Sequence, residues 1–319
     1  MTDKLNRYEG AMLGVAIGDA LGAPLEFMEK ETIRARFGTV REMMSGGWLN
    51  VVPGEVTDDT QMTMAVAEGI KANPETPFYE IGQRFIKWYD TNPKDIGNTC
   101  RAVIERTKKQ PMGMLHWQRT ARKLYEETNG NTAGNGALMR TIYPAIYYNK
   151  YAGKYAESIG KMTHYHTDSD IAVFNYATTI SEILEAPEEI DVGWAKERVE
   201  FRMRAVRDRL AGRNPIPSGY VIDSAVCAMN AIRDTSSFED AVIYAVNLGG
   251  DADTIGAITG GLAGAIYGSK GIPLRWIDAL ANPRNNALFG KPESKSNLLA
   301  MWCLNMARTA YYNKKELQK

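Results

Sequence analysis

GGDADTIGAITGGLAGAIYG, residues 249–268, carries an acidic turn and a glycine row back to back. Gly256, Gly260, Gly264 and Gly268 recur every fourth residue, and an earlier segment repeats the pattern at Gly10, Gly14, Gly18 and Gly22. An isolated glycine inside a helix costs about 1 kcal/mol relative to alanine, so a row of four needs a reason. At helical spacing each row makes a smooth face on which another backbone can approach closely. The two rows predict a buried central pair of helices in a soluble bundle. The membrane form of this motif needs a long apolar segment, and residues 255–267 are too few to span a bilayer.

Outward from these rows the chain reads as helical almost throughout. Met62, Ala65, Val66, Gly69 and Ile70 keep helical spacing, as do residues 171–184 and 238–246, while alternating strand patterns are scarce. Residues 196–210 are dense in Arg and Glu and predict a solvated helix. Proline and glycine punctuate the chain at Pro53-Gly54, Pro93, 130–136 and 215–219, without a long low-complexity linker. A single domain over residues 1–319 is the expected organisation.

Lys and Arg total 38 and Asp and Glu total 38, so no net charge draws the chain to nucleic acid or an acidic membrane. Cys100, Cys227 and Cys303 are odd in number and lack a Cys-x-x-Cys pair, which argues against a disulfide framework or zinc ribbon. The small, apolar run at 11–23 follows Lys4 and Arg7 like a signal peptide, but Glu9 and Asp19 break the expected charge order. A cytoplasmic monomer without a membrane span is expected.

Chemistry concentrates in two acidic turns at opposite ends, Thr57-Asp58-Asp59-Thr60 and Asp251-Ala252-Asp253-Thr254. Adjacent carboxylates repel unless a cation or strong donors neutralise them. Thr57 could serve simply as a helix cap, with Asp58 and Asp59 favoured in the first turn. Taken together, however, the turns supply an all-oxygen set suited to Mg²⁺, Ca²⁺ or Mn²⁺. An EF-hand is excluded, because Ile255 and Leu262 stand at the fifth and twelfth loop positions. A phosphate-binding P-loop is excluded by the missing Gly-Lys-Ser/Thr.

The loop at 130–136, GNTAGNG, leads into Ala137-Leu138-Met139-Arg140 and offers backbone N–H groups for a diphosphate. His164 and His166 have only His116 as a further imidazole, so zinc is poorly supported. Asp95 and Glu26 stand beside apolar residues, where either could act as a general acid or base.

In this order, GDALGAPLEF (18–27), VTDDTQM (56–62), AGNGALMR (133–140), THYH (163–166) and GGDADTIGAITGGLAG (249–264) resemble the ADP-ribosylglycohydrolase family. The likeness is strongest to its nitrogenase-associated bacterial branch, on EFMEK (26–30), SGGWLNVVPGEVTDDT (45–60) and DIGNTCR (95–101). The resemblance implies a compact, all-α orthogonal bundle with a dinuclear site for two Mg²⁺ or Mn²⁺ ions. It also implies hydrolysis of the bond joining ADP-ribose to a protein arginine, so an ADP-ribosylated protein as substrate and ADP-ribose as product.

By motif position Thr57, Asp58, Asp59, Asp251, Asp253 and Thr254 would be metal ligands. Gly134, Asn135 and Gly136 would hold the diphosphate, and His164 and Asn98 would touch the substrate. Asp95 would lie near the scissile bond and Glu26 would be a mobile glutamate near the metals. One of the two, Asp95 or Glu26, would activate the water, with Asp95 favoured as base and Glu26 as gate. The branch carries an acidic residue just before the AGNG loop, where this chain has Asn129-Gly130-Asn131-Thr132, which puts the physiological target in question. The alternatives are another ADP-ribosyl linkage, a toxin-modified target, or a non-catalytic ADP-ribose-binding or immunity protein.

Overall fold

Two helices, Asp3–Gly22 and Ala252–Tyr267, run antiparallel through the centre of the molecule, each buried along almost its whole length. This computed structural model describes residues 3–109, 114–187 and 190–317. Gly10, Gly14 and Gly18 face Gly264, Gly260 and Gly256 in turn, and Gly22 faces Ala252. A methyl group built on Gly14 would lie 2.0 Å from the Gly260 carbonyl oxygen, and one on Gly18 only 1.9 Å from that of Gly256. Only residues without a side chain permit such an approach, and the burial it gives offsets their poor helix propensity. Gly268, the last of its row, lies just beyond the helix and ends it with a left-handed φ of 72°.

Helices account for 69% of the chain, and no strand forms among the described residues, so the fold is all-α as expected. The helices Asp58–Ala72, Thr167–Glu185, Val221–Asp234, Phe238–Val246 and Leu298–Leu317 pack around the central pair. The largest apolar cluster runs from Leu5 to Tyr311. No helix among the described residues is long and apolar enough to cross a membrane.

The charged stretch at 196–210 departs from the expected solvated helix. It forms two short helices, Val192–Arg202 and Arg204–Asp208, which bury Ala195, Val199 and Val206. Charge density outweighs this narrow apolar stripe when the residues are read in sequence.

Antiparallel pairing places the C-terminal end of the first helix beside the N-terminal end of Ala252–Tyr267. The N-terminal end of Asp58–Ala72 joins them, which brings both acidic turns to one place.

A candidate metal centre and its surroundings

The first acidic turn is organised by Asp19, a residue that sequence reading did not assign to the site. Its Oδ1 accepts hydrogen bonds from the Thr57 N–H at 3.0 Å and the Thr57 hydroxyl at 2.9 Å. Its Oδ2 accepts from the Thr60 N–H at 3.0 Å and the Thr60 hydroxyl at 2.5 Å. Thr57 occupies the position before the helix, but its side chain does not cap it. The hydroxyl turns inward, also lying 3.3 Å from Asp59 Oδ2 and 3.4 Å from Asp253 Oδ2.

The second turn is clamped by backbone. Gly249 and Gly250 both have positive φ, and Phe27 N–H donates to the Gly250 carbonyl at 2.7 Å. Gly250 N–H returns a bond to the Met28 carbonyl at 2.8 Å. This exchange carries Glu26 to the turn. Asp253 Oδ1 accepts from the Thr254 N–H at 2.9 Å, and the Thr254 hydroxyl lies 3.3 Å from Asp59 Oδ2.

Two carboxylate clusters result, Asp19–Asp59–Asp253 and Glu26–Asp251–Asp253, each with oxygens within 4.8 Å of one another. Asp253 belongs to both. Asp59 and Asp253 are each only 1% exposed, and Asp59 Oδ1 is buried without a hydrogen-bond partner. An orphaned, buried carboxylate oxygen in an all-oxygen set fits a hard divalent cation.

Burial raises the pKa of Asp58, Asp59 and Asp253 well above the carboxylate range, and neighbouring carboxylates add to it. Burial likewise raises Asp19 to about 6, against the pull of its four donors, and Glu26 to about 8, aided by Asp95. Without cations, these groups hold protons in the folded protein at pH values where the unfolded chain has released them. Their contribution to stability is full below about pH 4 and disappears as pH rises through their folded values. The EDTA-treated protein is therefore expected to melt several degrees lower at pH 8.5 than at pH 5.5 in calorimetry. A Tm that stays level or rises over that interval would contradict the arrangement.

Asp95 reaches the centre from the loop before the helix Asn98–Lys108, where it shares a hydrogen bond with Asp58 and accepts from the Ile96 N–H. Burial raises its pKa. Next to it, Lys94 pairs at 2.7 Å with buried Glu55, which also binds Arg284 at 2.6 Å. Asn98 is exposed at the first turn of its helix. Asn285, 229 residues after Val56, accepts from the Val56 N–H at 3.2 Å and so braces the strap leading into Thr57. The segment beyond Lys270 thus supports the site, a role no motif announced.

The glycine loop ends in a short 3-10 helix, Asn135–Arg140, rather than an α-helix. Asn135 donates through Nδ2 to Asp251 Oδ2 at 2.7 Å, and its own N–H is occupied by the Gly219 carbonyl at 3.0 Å. His164 is 2% exposed beneath this loop, where a methyl group on Gly134 or Gly136 would lie 3.3 or 2.9 Å from its ring. Burial and then Arg140 push the imidazole down to about 3, so it is neutral near pH 7. Arg140 donates to the Gly136 carbonyl and, at 2.7 Å, to Thr163 Oγ1, which lies 2.8 Å from His164 Nδ1. Arg140 stood in the quoted AGNGALMR motif, but its anchoring role depends on partners distant in sequence.

Residues 1–310 match the sequence model of a family described as ADP-ribosylglycohydrolase. The chain belongs to the ADP-ribosylglycohydrolase family. It is 33% identical over 283 residues to the ADP-ribosyl-[dinitrogen reductase] glycohydrolase of Rhodospirillum rubrum, covering 86% of this chain and 90% of that protein. The ADP-ribosylarginine hydrolase Tri1 of Serratia proteamaculans is 31% identical over 303 residues, covering 88% of this chain and 76% of the relative. Among solved structures, an ADP-ribosylglycohydrolase-related protein complex superposes with a TM-score of 0.73 at 30% identity, covering 96% of this chain and 99% of that one. As a family member the protein is a hydrolase acting on ADP-ribosyl linkages.

Proposed function

We propose that this glycohydrolase removes ADP-ribose from a modified arginine of a target protein, using two Mg²⁺ or Mn²⁺ ions. The observation that carries the proposal is the pair of carboxylate clusters joined through Asp253, with Asp95 and Glu26 beside them. Asp19, Asp59 and Asp253 would hold one ion, and Glu26, Asp251 and Asp253 the other. Two relatives named for dinitrogen reductase and for ADP-ribosylarginine support an arginine linkage. Dinitrogenase reductase is one such target, although Asn129–Thr132 lacks the acidic residue of the nitrogenase-associated branch.

When bound, the cations supply Lewis-acid charge beside the distal ribose. Asp95, held by its hydrogen bond with Asp58, takes a proton from the attacking water. The water oxygen bonds to C1″ as the C1″–N bond breaks. The substrate's guanidinium takes the bonding electrons and leaves as neutral guanidine, which then picks up the proton that Asp95 received. Positive charge develops on the ribose in an oxocarbenium-like transition state, and the surrounding carboxylates stabilise it. Glu26, tethered to the Gly249–Gly250 turn, closes the cation side. Asn135 and the loop it anchors face the diphosphate.

The test is release of ADP-ribose from an arginine-ADP-ribosylated protein with Mn²⁺ or Mg²⁺, and again with EDTA. Release is expected with either cation and should fall to background with EDTA. Undiminished release in EDTA would remove the cations from the reaction. Binding of ADP-ribose without any release would leave only a reader.

A further inference from the structure

Beside the Glu26 end of the centre stand two exposed aromatic side chains to which the hydrolysis described above gives no role. Phe27 is 68% exposed and Trp48 is 53% exposed, with ring centroids 5.5 Å apart and planes inclined by 37°. Phe27 also holds a left-handed φ of 61°, a conformation that a bulky residue adopts only at a cost. An exposed ring gains little from burial to offset that cost. The Trp48 loop is fixed from below, since Leu49 and Val51 pack on Ala23, and a methyl group on Gly47 would lie 2.9 Å from Pro24 Cα. From this fixed loop the Trp48 indole N–H donates to Glu26 Oε2 at 2.6 Å.

We propose that the Phe27–Trp48 pair is the docking surface for the polypeptide that carries the ADP-ribosylated arginine, and that Trp48 also positions Glu26 for the reaction. The inference rests on the arginine-hydrolase reading. The occupant follows from continuity with the site: Glu26 joins the pair directly to the Asp251–Asp253 cluster, whereas the diphosphate loop meets Asp251 through Asn135. What extends beyond the scissile bond at the Glu26 end is the target's backbone and flanking residues. Rigid aromatics with a polar tip suit such a surface, because they offer contact area at low entropic cost.

The experiment compares two substrates, an arginine-ADP-ribosylated protein and free ADP-ribosylarginine, in wild type, Phe27→Asn and Trp48→Phe. Asparagine suits the left-handed φ, so Phe27→Asn removes the ring without adding backbone strain. It is expected to lower kcat/KM about tenfold or more for the modified protein, mainly through KM, and less than about twofold for the free compound. Trp48→Phe keeps a ring but loses the N–H, so kcat should fall equally on both substrates. Equal losses on both substrates for Phe27→Asn, as adenine stacking on the pair would give, overturn the proposal while leaving the reaction intact. No loss on either substrate, or a dimer that Phe27→Asn dissolves, overturns it as well. Failure of wild type to hydrolyse either substrate overturns the arginine reading itself.

Discussion

Mn²⁺ or Mg²⁺ is expected to raise the Tm of the wild type, and Asp253→Asn is expected to abolish that rise and to lower turnover by more than about a hundredfold. No other residue belongs to both carboxylate clusters, so one substitution weakens both candidate cation positions. The asparagine oxygen can still accept from the Thr254 N–H, now 2.9 Å from Asp253 Oδ1, so the local turn is retained. In the absence of cations the same variant should be more stable than wild type at pH 8. Asparagine is neutral at every pH, so the variant avoids the cost, which grows as pH rises, of holding Asp253 protonated or burying its charge among the other carboxylates. Thermal melts with and without EDTA measure both effects. A variant that is less stable without cations and still responds to them would show that Asp253 is structural and not a shared ligand.

Gly260→Ala is expected to cost about 3 kcal/mol or more and to weaken cation binding with it. The added methyl group would lie 2.0 Å from the Gly14 carbonyl oxygen, where ordinary contact begins at 3.4 Å. Neither backbone can yield without separating the helices, and the roughly 1 kcal/mol gained in helix propensity is too small to compensate. Separation also draws Asp19 away from Asp253, since each sits near the end of one of the paired helices. Gly97→Ala provides the control, because Gly97 has an ordinary φ of −57° and nothing within 4 Å of the added methyl. Chemical denaturation should leave that control near wild type. A Gly260→Ala protein of wild-type stability would refute the close packing.

The parts of this molecule that could be read in sequence are those whose function repeats locally. Eight glycines at intervals of four predicted the central pair, because helical spacing alone puts them on a face. Paired carboxylates in each acidic turn likewise pointed to a cluster that could hold a cation, and Asp59, Asp251 and Asp253 do meet in such clusters. Asp19 was passed over because it looks like an isolated acid interrupting an apolar run, and the four donors that explain it belong to Thr57 and Thr60. Trp48 and Asn285 share that difficulty. An indole bond to Glu26 and an amide bond to Val56 leave no periodic or compositional trace. The 196–210 stretch shows the converse, since its charge is plain and its buried stripe is not.

The glycine pairing also sets a timetable for synthesis. The helix Asp3–Gly22 leaves the ribosome well before its partner, because about 230 residues lie between Gly22 and Ala252. At 5–20 residues per second its smooth apolar face waits about 10–50 s for cover. Contacts of such high sequence separation form late, after most of the loop-closure entropy has been lost. A nascent chain released before Gly249 would carry Asp19, Glu26 and Asp59 but neither Asp251 nor Asp253. Neither carboxylate cluster that could hold a divalent cation is therefore complete until Asp253 has been made.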